Sequence, residues 1–546
     1  MTQSNTLKVH PDDDLVVALA DLSAGEDVVV GDQTLRLQEA VKAKHKFALR
    51  AFTPGEKITM YGVTVGVATT AIAPGSVITV DNVRHGSSDY STDGGQYDWQ
   101  APNVTAWQDK VFSGFVRPDG QVGTGNYWLV VPLVFCQNRN VEVLRTALQD
   151  ALGYSTDSHY RQLAWRLADQ YRESASAGIE ERSETFAVNG RTFEYVDGVK
   201  FLTHSAGCGG TREDAITLCR LLAAYIHHPN VAGATVLSLG CQNAQMSLLQ
   251  DELAALNPNE IKPVHYFEQQ AYGSEQALIE SAIAKTFEGL AQANQFRREP
   301  VPLSKLSIGV ECGGSDGFSG LSANPLIGQV VDRLVALGGA GILGEFPELC
   351  GIEQELLDRC VSEDLRNRFS ELMQAYERHA ASVGASFDMN PSPGNIRDGL
   401  ITDAMKSAGA ARKGGTSPVV GVLDYPEVVR APGLNLLCTP GNDVESTTAL
   451  AAAGANVILF STGMGTPTGN PVVPVLKISS NSQVAQRMDD IIDFDAGPII
   501  SGERSLPDLA EALLQLCVDT ASGRYVTKAQ RLGQDDFIPW KRGVSL

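Results

Sequence analysis

The sequence contains no hydrophobic run long enough to cross a membrane, and it is poor in basic residues. Its opening stretch, MTQSNTLKVHPDDDLVVALADL, is acidic and has no apolar signal core, so a secreted protein is not expected. Only 43 Lys and Arg face 64 Asp and Glu, which gives a net charge of −21. Nucleic acids and anionic membranes bind basic surfaces, so neither is expected as a partner. These absences predict a cytoplasmic protein that acts on a small molecule.

Regularly spaced cysteines are also lacking. The count of nine is odd and the spacing irregular, which argues against a disulfide framework. Five of them lie in a helical or apolar setting typical of core thiols: Cys219, Cys350, Cys360, Cys438 and Cys517. The other four follow segments that resemble strands: Cys136, Cys208, Cys241 and Cys312. In open α/β sheets, ligands bind beyond the carboxyl ends of strands, so these four thiols are predicted to share a metal-dependent site.

A chain of 546 residues is too long for one hydrophobic core and predicts two or three domains. Residues 1–90 show short strand patterns separated by turns, which indicates a small β domain. Residues 91–106 lack periodicity and are predicted to be a linker. Residues 107–390 alternate strand and helix patterns, as in an α/β domain, and residues 391–546 continue as a C-terminal α/β domain after the segment PSPGNIRDG. The predicted fold class is therefore α/β.

The segment HSAGCGG places His204 four residues before Cys208, directly ahead of a predicted helix. Glycines allow close approach of a ligand, and a helix amino terminus favours thiolates and anions. The alternative is a tight turn with one buried thiol. After the next strand, Cys241 is followed by the neutral hydrogen-bonding residues Gln242 and Asn243.

Three further loops carry candidate site residues. The loop CGGSDGFSGLSANP is too rich in Gly and Ser for a core, and it matches neither a dinucleotide nor a P-loop fingerprint. The loop STGMGTPTGN resembles a phosphate-cradling turn, but many α/β turns share its composition. The segment GILGEFPELCGIEQ holds Glu345, Glu348 and Glu353 beyond a predicted strand. One of them could serve as a general base or as a ligand; the alternative is that they are the acidic residues common in the first turn of a helix.

Many motifs, in the same order, resemble the altronate/galactarate dehydratase family. They include HKFAL, RPDGQVGTGNY, HSAGCGG, HHPNVAG, LGCQN, CGGSDGFSGLSANP, EFPELCGIEQ, NPSPGN, TPGND, STGMGTP and DDFIPWKRGVSL. The resemblance implies an N-terminal β-clip (SAF) domain followed by a Rossmann-like α/β catalytic region in two subdomains. It implies a metal-dependent hydro-lyase that dehydrates a sugar acid, an aldonate or aldarate, to a 2-keto-3-deoxy acid. A base removes the proton α to the carboxylate, and the metal stabilises the enediolate while the β-hydroxyl leaves.

The resemblance also implies site residues. The predicted catalytic residues are His45, His204, Asp316, Glu345 and Glu348. The predicted substrate-binding residues are Arg117, Asn126, Gln242, Asn243, Ser315, Asn324, Thr462 and Thr466. The predicted metal ligands are His45, Cys136, Cys208, Cys241 and Cys312, with Fe2+ or Mn2+ as the metal because soft donors suit iron. An iron–sulfur cluster held by three of the four cysteines is the rival reading. A homodimer is the default expectation for the assembly.

Several positions depart from the family's pattern. Gly125 stands where a basic residue is usual, Gln242 where Glu is usual, and Met464 where Arg is usual. Lys44 replaces a Gly before His45, and Asp81 replaces a His of the altronate branch. These changes predict a substrate other than altronate or galactarate. Two alternatives stay open: a lyase that eliminates another β-leaving group, as in sulfolactate sulfo-lyases, and an inactive relative that binds a sugar acid.

Overall fold

The N-terminal part of the chain is a small antiparallel β unit. The computed structural model describes residues 5–95, 97–155, 158–175, 190–258 and 262–546. Within them the β unit contains β1 (Thr6–Leu7), β2 (Leu15–Ala18), β3 (Asp27–Val30), β4 (Gln33–Arg36), β5 (Lys46–Ala48), β6 (Lys57–Met60), β7 (Val63–Ala68) and β8 (Val83–Arg84). Turns with glycine at positive φ join many of these strands. The predicted β-rich unit is therefore present.

The second unit is built on a four-stranded parallel sheet, in the order β12-β11-β13-β14, beside a three-stranded antiparallel sheet, β10-β9-β15. Its strands are β9 (Val111–Val116), β10 (Val122–Gly123), β11 (Tyr127–Pro132), β12 (Gly198–Phe201), β13 (Val231–Ser238), β14 (Val264–Glu268) and β15 (Arg298–Pro302). Its helices are α1 (Asn138–Leu152), α2 (Ser158–Ala175), α3 (Arg212–His227), α4 (Met246–Leu256), α5 (Gln269–Tyr272) and α6 (Glu275–Ala293). A capping box opens α3, where Thr211 and Asp214 exchange hydrogen bonds with each other's backbone.

The third unit is a seven-stranded parallel sheet in the order β18-β19-β17-β16-β20-β21-β22. Its strands are β16 (Ser307–Cys312), β17 (Ala340–Leu343), β18 (Val419–Leu423), β19 (Gly433–Leu437), β20 (Val457–Thr462), β21 (Val475–Ser479) and β22 (Phe494–Asp495). Its helices are α7 (Ala323–Ala336), α8 (Glu353–Arg359), α9 (Glu363–Ser382), α10 (Pro393–Arg397), α11 (Asp403–Ala410), α12 (Asp443–Ala452), α13 (Ser482–Arg487), α14 (Gly497–Ile500), α15 (Leu506–Ala521) and α16 (Lys528–Arg531). Helices cover the sheet, and β20 is buried throughout, as its apolar sequence VILFST requires.

The domain boundary predicted at residue 391 is wrong. Strands from both sides of that position, β16 and β17 before it and β18 to β22 after it, belong to one sheet. The segment PSPGNIRDG instead forms the short helix α10 and the turn after it. Its Pro and Gly residues break regular structure inside a domain as readily as between domains. The α/β class is confirmed, while the Rossmann-like description stays a prediction. No helix within the described ranges is both long and apolar enough to span a bilayer.

Candidate active site

A cluster of buried charges lies beyond the carboxyl ends of the seven-stranded sheet. Strand β16 ends at Cys312, β17 is followed by Glu345, and β20 ends at Thr462. Because these strands are parallel, their carboxyl ends share one edge, where α/β sheets bind ligands. We call this group, in which Asp443 is half-buried and the others are buried, the acid–lysine pit; it comprises Glu311, Glu345, Glu348, Asp443, Lys406 and Lys413.

Two buried ion pairs form the centre of the pit. Lys413 Nζ donates to Glu345 Oε2, and both side chains are 1% exposed. Lys406 Nζ donates to Glu348 Oε1 at 2.5 Å and to Asn390 Oδ1 at 2.7 Å. Glu345 has a left-handed backbone with φ 64°, a conformation that costs a non-glycine residue about 1–3 kcal/mol. Strain of this kind persists where the surroundings hold the residue in place, which is common at active sites.

The pit holds more acid than base, and several of its oxygens lack a partner. Glu311 Oε2 accepts from Ser446 Oγ at 2.6 Å, but Glu311 Oε1, Glu345 Oε1 and Glu348 Oε2 are buried without a hydrogen bond. Burial, reinforced by neighbouring Glu348, raises the pKa of Glu345 to about 7. Burial and Glu345 likewise raise the pKa of Glu311, and burial raises that of Asp443 to about 6. The pit therefore contains carboxyl groups that exchange protons near neutral pH.

Three predicted residues of the CGGSD loop border the pit. Cys312 Sγ lies 2.5 Å from Ser315 Oγ, and Asn324 Nδ2 donates to Cys312 Sγ at 3.8 Å. Burial raises the pKa of the Cys312 thiol. The positive charge of Lys413 acts in the opposite direction and partly offsets this rise. The structure thus brings Cys312, Ser315 and Asn324 together with the pit residues Glu345 and Lys413.

The glycine-rich loop after β20 forms part of the rim. Thr462 Oγ1 accepts hydrogen bonds from the backbone N–H groups of Met464, Gly465 and Thr466, at 3.3, 2.9 and 3.1 Å. A Cβ at Gly314 would lie only 2.7 Å from Thr466 Oγ1, so this glycine permits the close approach of the two loops. Thr462 shapes the turn, and Met464 and Thr466 within it are half-buried.

Asp316 lies behind this loop rather than in the pit. Its carboxylate is fully buried and accepts from Ser319 Oγ (2.9 Å), Ser480 Oγ (2.8 Å) and Asn481 Nδ2 (3.2 Å). Lys44 Nζ, from the N-terminal unit, lies 2.9 Å from Asp316 Oδ2. These contacts favour a positioning role for Asp316 over the predicted catalytic one. Lys44 has φ 77°, a backbone conformation that a glycine would adopt without strain.

His45 lies at the junction between the N-terminal unit and α10. Its Nε2 is 3.0 Å from the carbonyl oxygen of Arg397, and burial lowers its pKa. The neighbouring Lys46 is fully buried and donates to the carbonyl of Gly399 at 2.6 Å; burial lowers its pKa to about 7. This segment therefore docks the β unit onto the third unit. The catalytic and metal-binding roles of His45 stay predictions.

The four strand-end cysteines are divided between two sheets. Cys136, Cys208 and Cys241 are exposed at the carboxyl edge of the four-stranded sheet, whereas Cys312 is buried at the end of β16. Among the described residues, no three His, Cys, Asp or Glu side chains are placed to hold one metal ion. The structure therefore does not assemble the predicted five-ligand set.

His204 supports the backbone of the second unit. Its Nε2 lies 2.8 Å from the carbonyl of Pro132, and its Nδ1 accepts from the N–H of Ala206 at 3.1 Å. Both ring nitrogens are thus occupied, and burial lowers the pKa of the ring. This geometry argues against the catalytic role predicted for His204, because no ring nitrogen is free to move a proton.

Gln242 and Asn243 also make local contacts. Gln242 Oε1 accepts from the N–H of Gly240 at 2.7 Å, and its Nε2 donates to Ser238 Oγ at 2.7 Å. The backbone N–H of Asn243 donates to the carbonyl of Gly207 at 3.0 Å. These two predicted substrate-binding residues therefore shape the loop that carries Cys241, away from the pit.

Arg117 and Asn126 lie near the amino end of β11, the opposite edge from Cys136. Arg117 Nε donates to the carbonyl of Pro229 at 2.7 Å, and its Nη1 donates to Asn126 Oδ1 at 3.1 Å. Arg117 Nη2 donates to the carbonyl of Gly125 at 3.2 Å. The structure does not bring this buried network to the pit.

Sequence reasoning missed most of the pit, namely Glu311, Asp443, Lys406 and Lys413. A signal existed for three of them, because Glu311 is a charge inside the apolar strand SIGVEC and the two lysines stand among small residues in DAMKSAGAARKGG. Fully buried charges are rare unless paired, so such charges indicate a site.

Three family models match successive parts of the chain, which together make up most of it. The model for the altronate/galactarate dehydratase SAF domain matches residues 4–86. The model for the second domain of D-galactarate dehydratase/altronate hydrolase matches 114–294, and the C-terminal model of D-galactarate/altronate dehydratase matches 303–545. The chain belongs to the altronate/galactarate dehydratase family. The predicted resemblance is confirmed, and with it the hydro-lyase class of the family.

Two curated relatives match this chain over nearly its full length, and a third matches part of it. The chain is 35% identical over 540 residues to altronate dehydratase of Escherichia coli and 32% identical over 544 residues to that of Bacillus subtilis, covering 99% of each partner. It is also 33% identical over 316 residues to the (2R)-sulfolactate sulfo-lyase subunit beta of Chromohalobacter salexigens, which covers 57% of this chain and 79% of the relative.

Proposed function

We propose that the protein dehydrates a sugar acid to a 2-keto-3-deoxy acid in the acid–lysine pit, with Glu345 as the general base. The observation that carries this assignment is a buried carboxyl group with a pKa of about 7, one oxygen without a partner, and a lysine held against the other. A general base works best when its pKa lies near the working pH.

The pit residues supply the remaining steps of an elimination. Glu345 takes the proton from the carbon next to the substrate carboxylate. Lys406 and Lys413 stay cationic, because their neighbouring carboxylates raise their pKa values despite burial, and they stabilise the negative charge of the enediolate. Asp443, with a pKa near 6, donates a proton to the β-hydroxyl, which leaves as water. The resulting enol then tautomerises to the 2-keto acid.

The donor set also fits a divalent cation. The unpartnered oxygens of Glu311 and Glu348 are hard donors, and hard cations often bind one or two protein carboxylates together with substrate oxygens. Fe2+ or Mn2+ held there would offset the excess acid and supply Lewis-acid stabilisation to the substrate carboxylate. An anionic substrate needs this compensation, because the pit carries four acids against two lysines.

Met464 supports a substrate that differs from altronate or galactarate. Of the three lost charges, this one lies beside Gly314 of the CGGSD loop, whereas Gly125 lies in the Arg117 network and Gln242 beside Cys241. A Cβ at Gly394 would come within 3.7 Å of Met464 Cε, so the side chain bridges the rim. An apolar rim favours a substrate with fewer or differently placed anionic groups. The relatives named altronate dehydratase motivate testing altronate first.

A substrate panel tests this function. Anaerobically purified protein with Fe2+ or Mn2+ would be incubated with altronate, galactarate, other aldonic and aldaric acids, and sulfolactate, and 2-keto acid would be measured. Keto product from at least one sugar acid supports the proposal, and efficient turnover of altronate overturns the altered-substrate part of it. Sulfite release from sulfolactate instead would favour the sulfo-lyase alternative. Binding without any product would favour the inactive, sugar-acid-binding relative.

A further inference from the structure

All three exposed cysteines of the protein lie on one edge of one sheet. The other six thiols are buried or half-buried. Cys208, Cys136 and Cys241 follow β12, β11 and β13, which are neighbours in that order and parallel. Free cysteines are usually buried, so three exposed thiols grouped at a ligand-binding edge are not explained by packing.

The three loops that carry these thiols are joined by backbone hydrogen bonds. The N–H of Phe135, next to Cys136, donates to the carbonyl of Ala206 at 3.1 Å. The N–H of Asn243, two residues after Cys241, donates to the carbonyl of Gly207 at 3.0 Å. These two hydrogen bonds therefore tie the Cys136 loop and the Cys241 loop to the Cys208 loop. Each of the three thiols lies within two residues of one of them.

The Cys208 loop, which follows the outer strand β12, is shaped so that it can contact both of the other loops. Gly207 has φ +99°, and a Cβ there would lie 2.1 Å from the carbonyl oxygen of Leu133. Only glycine allows the Cys208 loop to approach the Cys136 loop so closely. His204 ties the same two loops together through Pro132 and Ala206. The convergence of the three loops is thus built into the fold.

We propose that Cys136, Cys208 and Cys241 hold an iron–sulfur cluster, most simply a [4Fe–4S] cluster with one iron left without a cysteine. Cysteine thiolates are the usual protein ligands of such clusters. In a cluster, each thiolate binds a different iron atom. The three side chains therefore do not have to surround one ion, an arrangement that is absent among the described residues. An odd set of thiols also leaves no complete disulfide pairing. The three thiols lose their protons as iron–sulfur bonds form, iron and sulfide come from solution, and a dithiol in solution reduces the part of the ferric iron that the cluster holds as ferrous.

The test uses the full-length protein, purified anaerobically and reconstituted with ferric iron, sulfide and dithiothreitol. Iron, acid-labile sulfide and visible absorption would be measured, together with EPR after dithionite reduction. We expect about four irons and about four sulfides per chain. The single variants Cys136→Ser, Cys208→Ser and Cys241→Ser should each lose most of the sulfide and the EPR signal. Cys350→Ser, a half-buried thiol on the third unit, is the matched control and should keep both.

The outcomes are separable from those of the proposed dehydratase function, because sulfide content and EPR do not depend on turnover. Iron without sulfide, or sulfide retained in all three variants, would overturn the cluster. A disulfide between two of the thiols in anaerobically purified protein would do the same. Circular dichroism of each variant shows whether loss of the cluster is loss of fold; if one variant unfolds, the other two decide.

Discussion

Replacing Glu345 by Gln tests the general base with the smallest change in shape. The amide can still accept a hydrogen bond from Lys413, but it cannot take a proton from the substrate. Loss of a positioned general base lowers kcat by about 10²–10⁴, which corresponds to about 3–5 kcal/mol in the activation free energy. Initial rates of 2-keto acid formation, with the best substrate of the panel, would measure this loss.

The pH dependence gives a second and sharper readout. Glu345 must be deprotonated to act and its pKa is about 7, whereas Asp443 must be protonated and its pKa is about 6, so wild-type activity should peak between these two pKa values and fall on either side. The Glu345→Gln variant should keep only a low activity without this acid limb. Leaving Lys413 buried without its counter-ion costs about 3–5 kcal/mol of folding free energy, so folding must be confirmed at the assay temperature.

Glu353→Gln is the matched control. Glu353 lies in the same loop region, and burial raises its pKa to about 7 as well. Its Oε2, however, accepts from the N–H of Gly351 at 2.8 Å, so it serves the start of its own helix rather than the pit. Activity should stay within about threefold of wild type, as for substitutions that remove no transition-state contact. Equal losses in the two variants, or less than a tenfold loss in Glu345→Gln, would refute the assignment.

Three further outcomes are expected. Lys44→Gly should be more stable to urea than Lys44→Ala by about 1 kcal/mol, because both lose the contact with Asp316 but only glycine accepts φ 77° freely; equal stability would argue against backbone strain. Met464→Arg should lower KM for an aldarate by about 10–150-fold, because a hydrogen bond to a charged group contributes about 1.5–3 kcal/mol. An unchanged KM would mean that this residue does not face the substrate. Arg117→Met should lower the free energy of unfolding by about 3 kcal/mol, because Asn126 and two backbone carbonyls lose their hydrogen-bond donor. KM should stay unchanged. A raised KM would restore the substrate-binding role predicted for Arg117.

The sequence was sufficient to identify features that depend only on neighbouring residues. The order of motifs identified the family, and apolar runs followed by glycine-rich turns marked strand ends. That pattern led to Ser315, Asn324, Glu345 and Glu348, four residues at or beside the pit. Strand ends and turns can be read along the chain because they depend on a few neighbouring residues, while the roles of these four residues stay predictions.

Only the tertiary structure decided which strand ends share an edge. Cys312 and Cys136 follow similar strand patterns, yet β16 joins the seven-stranded sheet and β11 the four-stranded one. Lys413 comes to Glu345 from 68 residues away. Strand order and the packing of helices over the sheet are set by contacts between distant segments, and no local pattern encodes them. The chemistry of each loop could therefore be read along the chain, whereas the acid–lysine pit and the three-thiol edge exist only once the chain is folded.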